Sequence, residues 1–131
     1  MSDINQLISI IIPVFNESES IVFLIDEVIS VMAANKFNFE LIVVNDGSKD
    51  DTHQVLKELT FKIKELSVIC LRKNYGQTAA MAAGFDNSKG DIVITLDGDL
   101  QNDPNDIPKL ISEINNGYDL ICGWRFDRKD K

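Results

Sequence analysis

Short apolar runs rich in β-branched residues alternate with segments of helical period along the whole chain. The runs are Leu7 to Val14, Phe39 to Val44, Leu66 to Leu71, Ile92 to Leu96 and Tyr118 to Cys122. Nearly continuous apolar character marks strands covered on both faces, because a strand with one wet face alternates polar and apolar residues. Between the first two runs, Ile21, Leu24, Ile25, Val28, Val31 and Met32 fall at i, i+3, i+4, i+7, i+10 and i+11, one helical stripe. A second helix is expected from about Asp51 to Lys64, with Val55, Leu56, Leu59 and Ile63 on one face and a Ser-x-x-acid cap from Ser48 and Asp51. A third, built of small residues, runs through Gln77 to Asn87. A fourth carries Ile107, Leu110, Ile111 and Ile114, with Asp103 as its N-cap and Pro104 in its first turn. Strand and helix in repeated alternation predict an α/β fold: a doubly wound, mostly parallel twisted sheet with helices on both faces and right-handed crossovers.

At 131 residues, 44% of them hydrophobic, the chain is expected to form a single domain with one core and no internal repeat or linker. Its formal net charge of -8 argues against a nucleic-acid partner, since affinity for phosphate backbones comes from clustered Lys and Arg. The one basic cluster is Arg125, Arg128, Lys129 and Lys131, interrupted by Asp127 and Asp130; it suits an anionic lipid surface or a phosphate, or equally a solvated tail. Cys70 and Cys122 sit in apolar runs without metal-ligand spacing and are expected as buried, reduced thiols, which suits a cytoplasmic location. The opening Met1-Ser2-Asp3 is acidic where a signal peptide is basic. No stretch approaches the roughly 18 to 20 apolar residues that cross a bilayer.

In an open parallel sheet, ligands bind beyond the carboxyl ends of the strands. The residues following the strand candidates are Phe15-Asn16-Glu17, Asn45-Asp46-Gly47-Ser48, Arg72-Lys73-Asn74, Asp97-Gly98-Asp99 and Gly123-Trp124-Arg125. Asp97 and Asp99 bracket a glycine, and two carboxylates so close repel unless a cation lies between them or one is protonated. Hard oxygen ligands suit Mg²⁺ or Mn²⁺, with Gln101 able to add a carbonyl oxygen. A calcium loop does not fit, because Asn102 stands at its glycine position and Pro108 at its final acid. The alternative for the pair is an ordinary acidic turn before a helix capped by Asp103. Asp46 can accept a hydrogen bond from a base or ribose, or serve as an Asx-turn residue leading into Ser48. Arg125 suits bidentate phosphate contact. The lone histidine, His53, is expected at the surface, Trp124 in the core, and the small residues Ala79 to Gly84 either near a ligand or packed closely on the sheet.

Ile10-Ile11-Ile12-Pro13-Val14-Phe15-Asn16-Glu17, then Val43-Val44-Asn45-Asp46-Gly47-Ser48 with Asp51-Thr52, resemble the opening of the inverting glycosyltransferase family 2, which has the Rossmann-like GT-A fold. Asn74-Tyr75-Gly76-Gln77-Thr78-Ala79-Ala80 and Asp97-Gly98-Asp99-Leu100-Gln101 with Pro104 resemble its polyprenyl-phosphate branch, similar to dolichyl-phosphate mannose synthases and bacterial undecaprenyl-phosphate glycosyltransferases. The resemblance implies a nucleotide-diphosphate sugar such as a UDP- or GDP-sugar as donor and a lipid-linked phosphate as acceptor. By the same resemblance Pro13, Val14, Phe15, Glu17 and Asp46 line the nucleoside pocket, Gln77 and Gly98 also meet the donor, and Asp97, Asp99 and Gln101 hold Mg²⁺ or Mn²⁺ on the diphosphate. Asp97 and Asp99 then carry the catalytic role, and Arg125 faces the phosphates of donor or acceptor. Many relatives have Lys in place of Gln77, which leaves less positive charge near the diphosphate here.

The resemblance further implies that the chain is the N-terminal, donor-binding portion of such an enzyme and stops before the acceptor half. Peripheral membrane contact is then expected through the missing part, and a location in the cytoplasm or on the cytoplasmic face of a membrane, in cell-envelope biogenesis. A receiver domain is disfavoured because the third strand ends in Arg72-Lys73 and the fifth in Gly123-Trp124. A dinucleotide oxidoreductase is disfavoured by Pro13-Val14-Phe15-Asn16 where a Gly-x-Gly-x-x-Gly turn belongs. The remaining rival is a nucleotide-sugar-binding module without catalysis of its own.

Overall fold

The computed structural model describes residues 6–96 and 103–115. β1 (Leu7–Val14) leads through α1 (Ile21–Ala34) to β2 (Asn38–Asn45), then α2 (Thr52–Lys62), β3 (Leu66–Cys70), α3 (Gln77–Asn87) and β4 (Ile92–Thr95). A 3-10 turn at Pro104–Asp106 runs into α4 (Ile107–Asn115). The four strands form one sheet in the order β3-β2-β1-β4, and every neighbouring pair is parallel. The strand expected over Tyr118 to Cys122 lies outside the described residues, with Cys122 and Trp124.

Strand alternation sorts the apolar residues onto two faces. Ile8, Ile10, Ile12 and Val14 of β1, Leu41 and Val43 of β2, and Ile92 and Ile94 of β4 share one face with the buried stripe of α1, with Leu56 of α2 and with Ile107, Leu110 and Ile111 of α4. Ile11, Ile42 and Val44 turn to the other face and meet Ala80 of α3. Register keeps the two sets apart: Ile10 lies between Leu41 and Ile94, and Ile11 lies beside Ile42. Each such isoleucine taken from water contributes about 1.5–3 kcal/mol, so the central strand dominates the core.

The chain passes from β3 to β4 over the second face, and α3 makes this crossing on top of β1 and β2. Its small residues are a packing requirement. A Cβ added to Gly84 would stand 2.5 Å from Ile11 Cγ2, and Ala80 is fully buried. Close packing on the sheet thus accounts for Ala80 and Gly84 without a ligand.

Several local expectations are corrected. Ser48 does not cap α2: the helix begins at Thr52 with Asp51 as N-cap and no side-chain cap bond, and the Ser48 hydroxyl accepts from the Asn16 amide instead. The helix stops at Lys62 because Ile63 is already extended, at φ -122 and ψ 108. Cys70 is exposed, not buried: it is the last residue of strand β3, and His53 Nδ1 of α2 meets its sulfur at 3.2 Å. Partial burial still pushes its thiol above the ordinary value, opposed by a hydrogen bond with Asn45. The expected exposure of His53 holds. Helix α1 ends without glycine: Lys36 takes the left-handed conformation at φ 59, its amide bonds Ala33 O at 3.1 Å, and the Phe37 amide bonds Met32 O at 3.0 Å. That is a Schellman ending on a lysine. Asp103 is an N-cap as expected, but of the 3-10 turn Pro104–Asp106 that precedes α4: its Oδ1 accepts from the Asn105 amide at 3.0 Å, and Pro104 opens that turn.

Gly84→Ala should lower stability by about 1–3 kcal/mol, the usual cost of overpacking a filled core. A urea titration comparing variant and wild type checks this; an unchanged midpoint would mean that α3 sits further from β1 than the structure places it.

Candidate active site at the carboxyl edge of the sheet

Because all four strands run the same way, their carboxyl ends lie along one edge. The chain order reverses at β1, which has β2 on one side and β4 on the other, so the crevice between the ends of β1 and β4 is the topological switch point where open α/β sheets bind ligands. Val14 closes β1, and Leu96, whose amide donates to Ile11 O at 2.9 Å, closes the β4 side.

Three loops meet at this edge and are tied to one another by polar contacts. Asn16 turns in the left-handed region at φ 55, which its short polar side chain tolerates. Its amide donates to Ser48 Oγ at 2.9 Å, and its Oδ1 accepts from the Lys49 amide at 2.8 Å. The Glu17 amide donates to Thr52 Oγ1 at 3.0 Å, while its carboxylate accepts from the Ser20 hydroxyl at 3.0 Å. Asn45, not Asp46, forms the Asx-type turn, its Oδ1 accepting from the Ser48 amide at 3.1 Å. The Thr52 amide and hydroxyl both donate to Asp50 Oδ1. Those bonds, the hydroxyl's first, hold the Asp50 carboxyl below its ordinary value of 3.8.

Asp46 lies at the centre and is only 3% exposed. Its amide donates to Val14 O at 2.8 Å. Its carboxylate accepts from the Tyr75 amide at 2.8 Å, the Gly76 amide at 2.9 Å and Asn74 Nδ2 at 3.1 Å. Beside it Gly47 has φ 71, and a Cβ there would stand 2.3 Å from the Lys73 carbonyl carbon and 2.4 Å from the Asn74 nitrogen. Two backbones touch at this point, so the glycine is required for both conformation and space.

Pro13 and Val14 are buried at the end of β1, Phe15 is 39% exposed, Glu17 is half-buried, and Gln77 is exposed at the first position of α3. Pro13, Val14, Phe15, Glu17, Asp46 and Gln77 therefore share one edge. Asp97, Gly98, Asp99 and Gln101, expected to hold metal and diphosphate, lie outside the described residues, as does Arg125. Among the described residues no group of three or more His, Cys, Asp and Glu can hold a metal ion. The edge also carries exposed cations, with Lys49 after β2 and Arg72 and Lys73 after β3; the Lys73 ammonium stands 5.4 Å from the Tyr75 ring centroid, a cation–π contact. Sequence reasoning placed Asn16, Ser48 and Asn74 at the strand ends but not their partners, which lie 28 to 33 residues away. No local spacing encodes such contacts.

A family model described as glycosyl transferase family 2 matches residues 9–131. The chain belongs to glycosyltransferase family 2. It is 43% identical over 125 residues to a dodecaprenyl-phosphate galacturonate synthase of Rhizobium johnstonii, covering 94% of this chain and 37% of that protein. It is 40% identical over 133 residues to an undecaprenyl-phosphate 4-deoxy-4-formamido-L-arabinose transferase of Edwardsiella ictaluri, covering 99% and 41%. Among solved structures it is similar to glucosyl-3-phosphoglycerate synthase from Mycobacterium tuberculosis in complex with UDP, with a TM-score of 0.68, 27% identity, and coverage of 86% of this chain and 41% of that one. The α/β architecture is thus the GT-A fold of family 2, and the chain corresponds to an N-terminal portion, spanning 37% and 41% of the two curated relatives. For this family 2 chain the knitted edge is the part of the fold that faces the switch point.

The Asp50 bonds give a pH test. A group whose folded pKa is depressed stabilises the fold above its ordinary value, and that contribution is lost as pH falls through the depressed one. Asp50→Asn should therefore lower the thermal midpoint slightly at pH 7, and the gap between variant and wild type should close as pH drops below 3.8. A gap that persists undiminished into acid would show that Asp50 acts through its shape and not its charge.

Proposed function

We propose that this chain is the donor-binding part of a glycosyltransferase that moves a sugar from a nucleotide-diphosphate sugar to a polyprenyl phosphate. The observation that carries the reading is the knitted edge: loops after β1, β2 and β3 held together at the switch point of a GT-A sheet. Both sequence relatives are named for polyprenyl-phosphate acceptors, which supports the acceptor class. The UDP complex of the structural neighbour supports a nucleotide donor.

In this reading Phe15, exposed beside the buried Pro13 and Val14, offers an apolar face to the nucleoside. Asp97, Asp99 and Gln101 would hold Mg²⁺ or Mn²⁺, and the cation would stabilise the negative charge that grows on the departing diphosphate. Lys49, Arg72 and Lys73 give the edge positive charge in a chain of net charge -8, which favours an anionic donor. Attack opposite the leaving diphosphate inverts the anomeric centre. An alkyl phosphate acceptor needs no general base, because its second ionisation at roughly pKa 6 leaves it anionic at neutral pH. Arg125 would face a phosphate of donor or acceptor. Among the described residues no helix is long and apolar enough to cross a membrane. The lipid acceptor would be met at the cytoplasmic face.

The thermal midpoint with UDP, GDP and their sugars, with and without Mn²⁺, tests the donor site. A ligand at 100 times its dissociation constant stabilises the native state by about 2.7 kcal/mol. A shift with one nucleotide that requires metal and is lost in Asp99→Ala is expected. No shift from a folded protein would refute the reading. Sugar transfer to a polyprenyl phosphate in membrane extracts separates enzyme from module, since tight donor binding without transfer would favour the module.

A further inference from the structure

We propose that Thr52 is a positioning residue of the donor edge: its buried hydroxyl, turned by the Asp50 carboxylate, pins the Glu17 amide and so fixes the loop that presents Phe15 to the nucleoside. The inference deepens the donor-site reading and rests on it for the ligand; the contacts that make the pin belong to the chain alone.

Thr52 is the first residue of α2, and it is fully buried. A threonine in a helix's first turn commonly serves that helix, and its amide does so here by donating to Asp50 Oδ1 at 2.9 Å, an Asx-type turn. The hydroxyl reaches further. It has one proton to give and two lone pairs. The proton goes to Asp50 Oδ1, and a lone pair accepts from the Glu17 amide at 3.0 Å, 35 residues away in sequence. Charge sets the direction of the two bonds. Held below its ordinary value by the Thr52 hydroxyl above all, the Asp50 carboxyl is ionised at neutral pH and can only accept. The hydroxyl must therefore turn its proton to Asp50 and its oxygen toward Glu17. The Ser18 side chain and backbone also bond the Asp50 carboxyl, which ties the same loop a second time.

Glu17 is where the loop after β1 becomes α1. Its carbonyl accepts from the Ser20 amide at 3.2 Å and the Ile21 amide at 2.9 Å, so the residue whose amide Thr52 holds also sets where the helix begins. Ahead of it Asn16 sits at φ 55, a conformation that a non-glycine residue keeps only where its surroundings hold it. Asn16 has its own bonds to Ser48 and Lys49, but both are exposed and water competes for them. The Glu17 bond is partly buried and ends on a residue that water does not reach. Phe15 is the one residue between this pinned pair and Val14 at the end of β1, and 39% of it is exposed. Its backbone is thus fixed by the sheet on one side and by the pin on the other.

Thr52→Val keeps the shape and removes the hydroxyl, which leaves the Glu17 amide without its acceptor; Thr52→Ser keeps the hydroxyl and loses a methyl group. Amide hydrogen exchange of the ligand-free full chain is read by NMR, and UDP and GDP dissociation constants are measured where each variant is fully folded. In Thr52→Val, exchange at Glu17 should rise about tenfold, the scale of one lost bond at a buried amide, beyond any rise at Ile11 and Val43, which report global opening. The dissociation constant of whichever nucleotide binds wild type should rise several-fold, and Thr52→Ser should bring both readouts back near wild type. A residue that only stabilises the fold would leave that constant unchanged in folded protein. Phe15→Ala should absorb the effect: in that background Thr52→Val should change the constant little, because residues that act through one another are not additive. Unaltered exchange at Glu17, an unchanged dissociation constant, or a loss of equal size with and without Phe15 would overturn the proposal. Asp50→Ala, at an exposed position, is the companion if Thr52→Val folds poorly; it takes away the acceptor that turns the hydroxyl, and Glu17 exchange should rise in the same sense. If wild type binds neither nucleotide, the donor reading itself fails, and exchange alone decides whether Thr52 holds the loop.

Discussion

β1 lies between two parallel neighbours and is buried on both faces, and the remaining elements are arranged around that fact. A parallel pair cannot be closed by a hairpin, so every connection must cross back over the sheet. Crossings on the two faces are what cover Ile8, Ile10 and Ile12 on one side and Ile11 on the other. The same crossings bring every strand out at one edge. Burial of the central strand and the gathering of the loops are therefore one constraint, and the site lies at the edge because the core lies in the middle.

Loops at such an edge lose the ladder that satisfies backbone groups within the sheet, and buried polar groups must find other partners. Here they find side chains from neighbouring loops: Asn16 with Ser48 and Lys49, Glu17 with Thr52, Asp46 with the chain from Asn74 to Gly76. Among the described residues no buried side-chain nitrogen or oxygen lacks a partner. Two left-handed residues, Asn16 and Gly47, make the close approach possible. A surface fixed by its own bonds needs less ordering when a ligand arrives, the general advantage of preorganisation.

The strands, helices and parallel sheet were legible because burial leaves a periodic trace. Leu24, Ile25 and Val28 report a helix by spacing alone, and Asp103 with Pro104 reports a start by local chemistry. What was illegible depended on residues far apart in sequence. Ser48 has the form of a cap, yet its hydroxyl goes to Asn16. Lys36 ends α1 in a conformation that usually signals itself by glycine, and Cys70 lies in an apolar run but at an open strand end. At the site, the strand-end position of Asp46 was readable and its partners were not. A carboxylate followed by glycine after a strand looks the same whether its oxygens face a ligand or the next loop.

Carboxylates at an edge proposed to take an anionic donor pose an electrostatic problem, and the chain treats them in different ways. Asp46 and Asp50 are occupied by amide and hydroxyl donors of the chain itself, which spend their lone pairs on structure. Exposed Lys49, Arg72 and Lys73 counter the local negative charge. Asp97 and Asp99 are separated only by Gly98 and follow directly on the sheet's end at Leu96. Their mutual repulsion must be relieved by a cation or a proton. In the proposed reading the first group builds the edge and the second leaves charge for a metal on the diphosphate. The difference has a physical basis: each donor of the chain that a carboxylate accepts from leaves it one acceptor site fewer for a ligand.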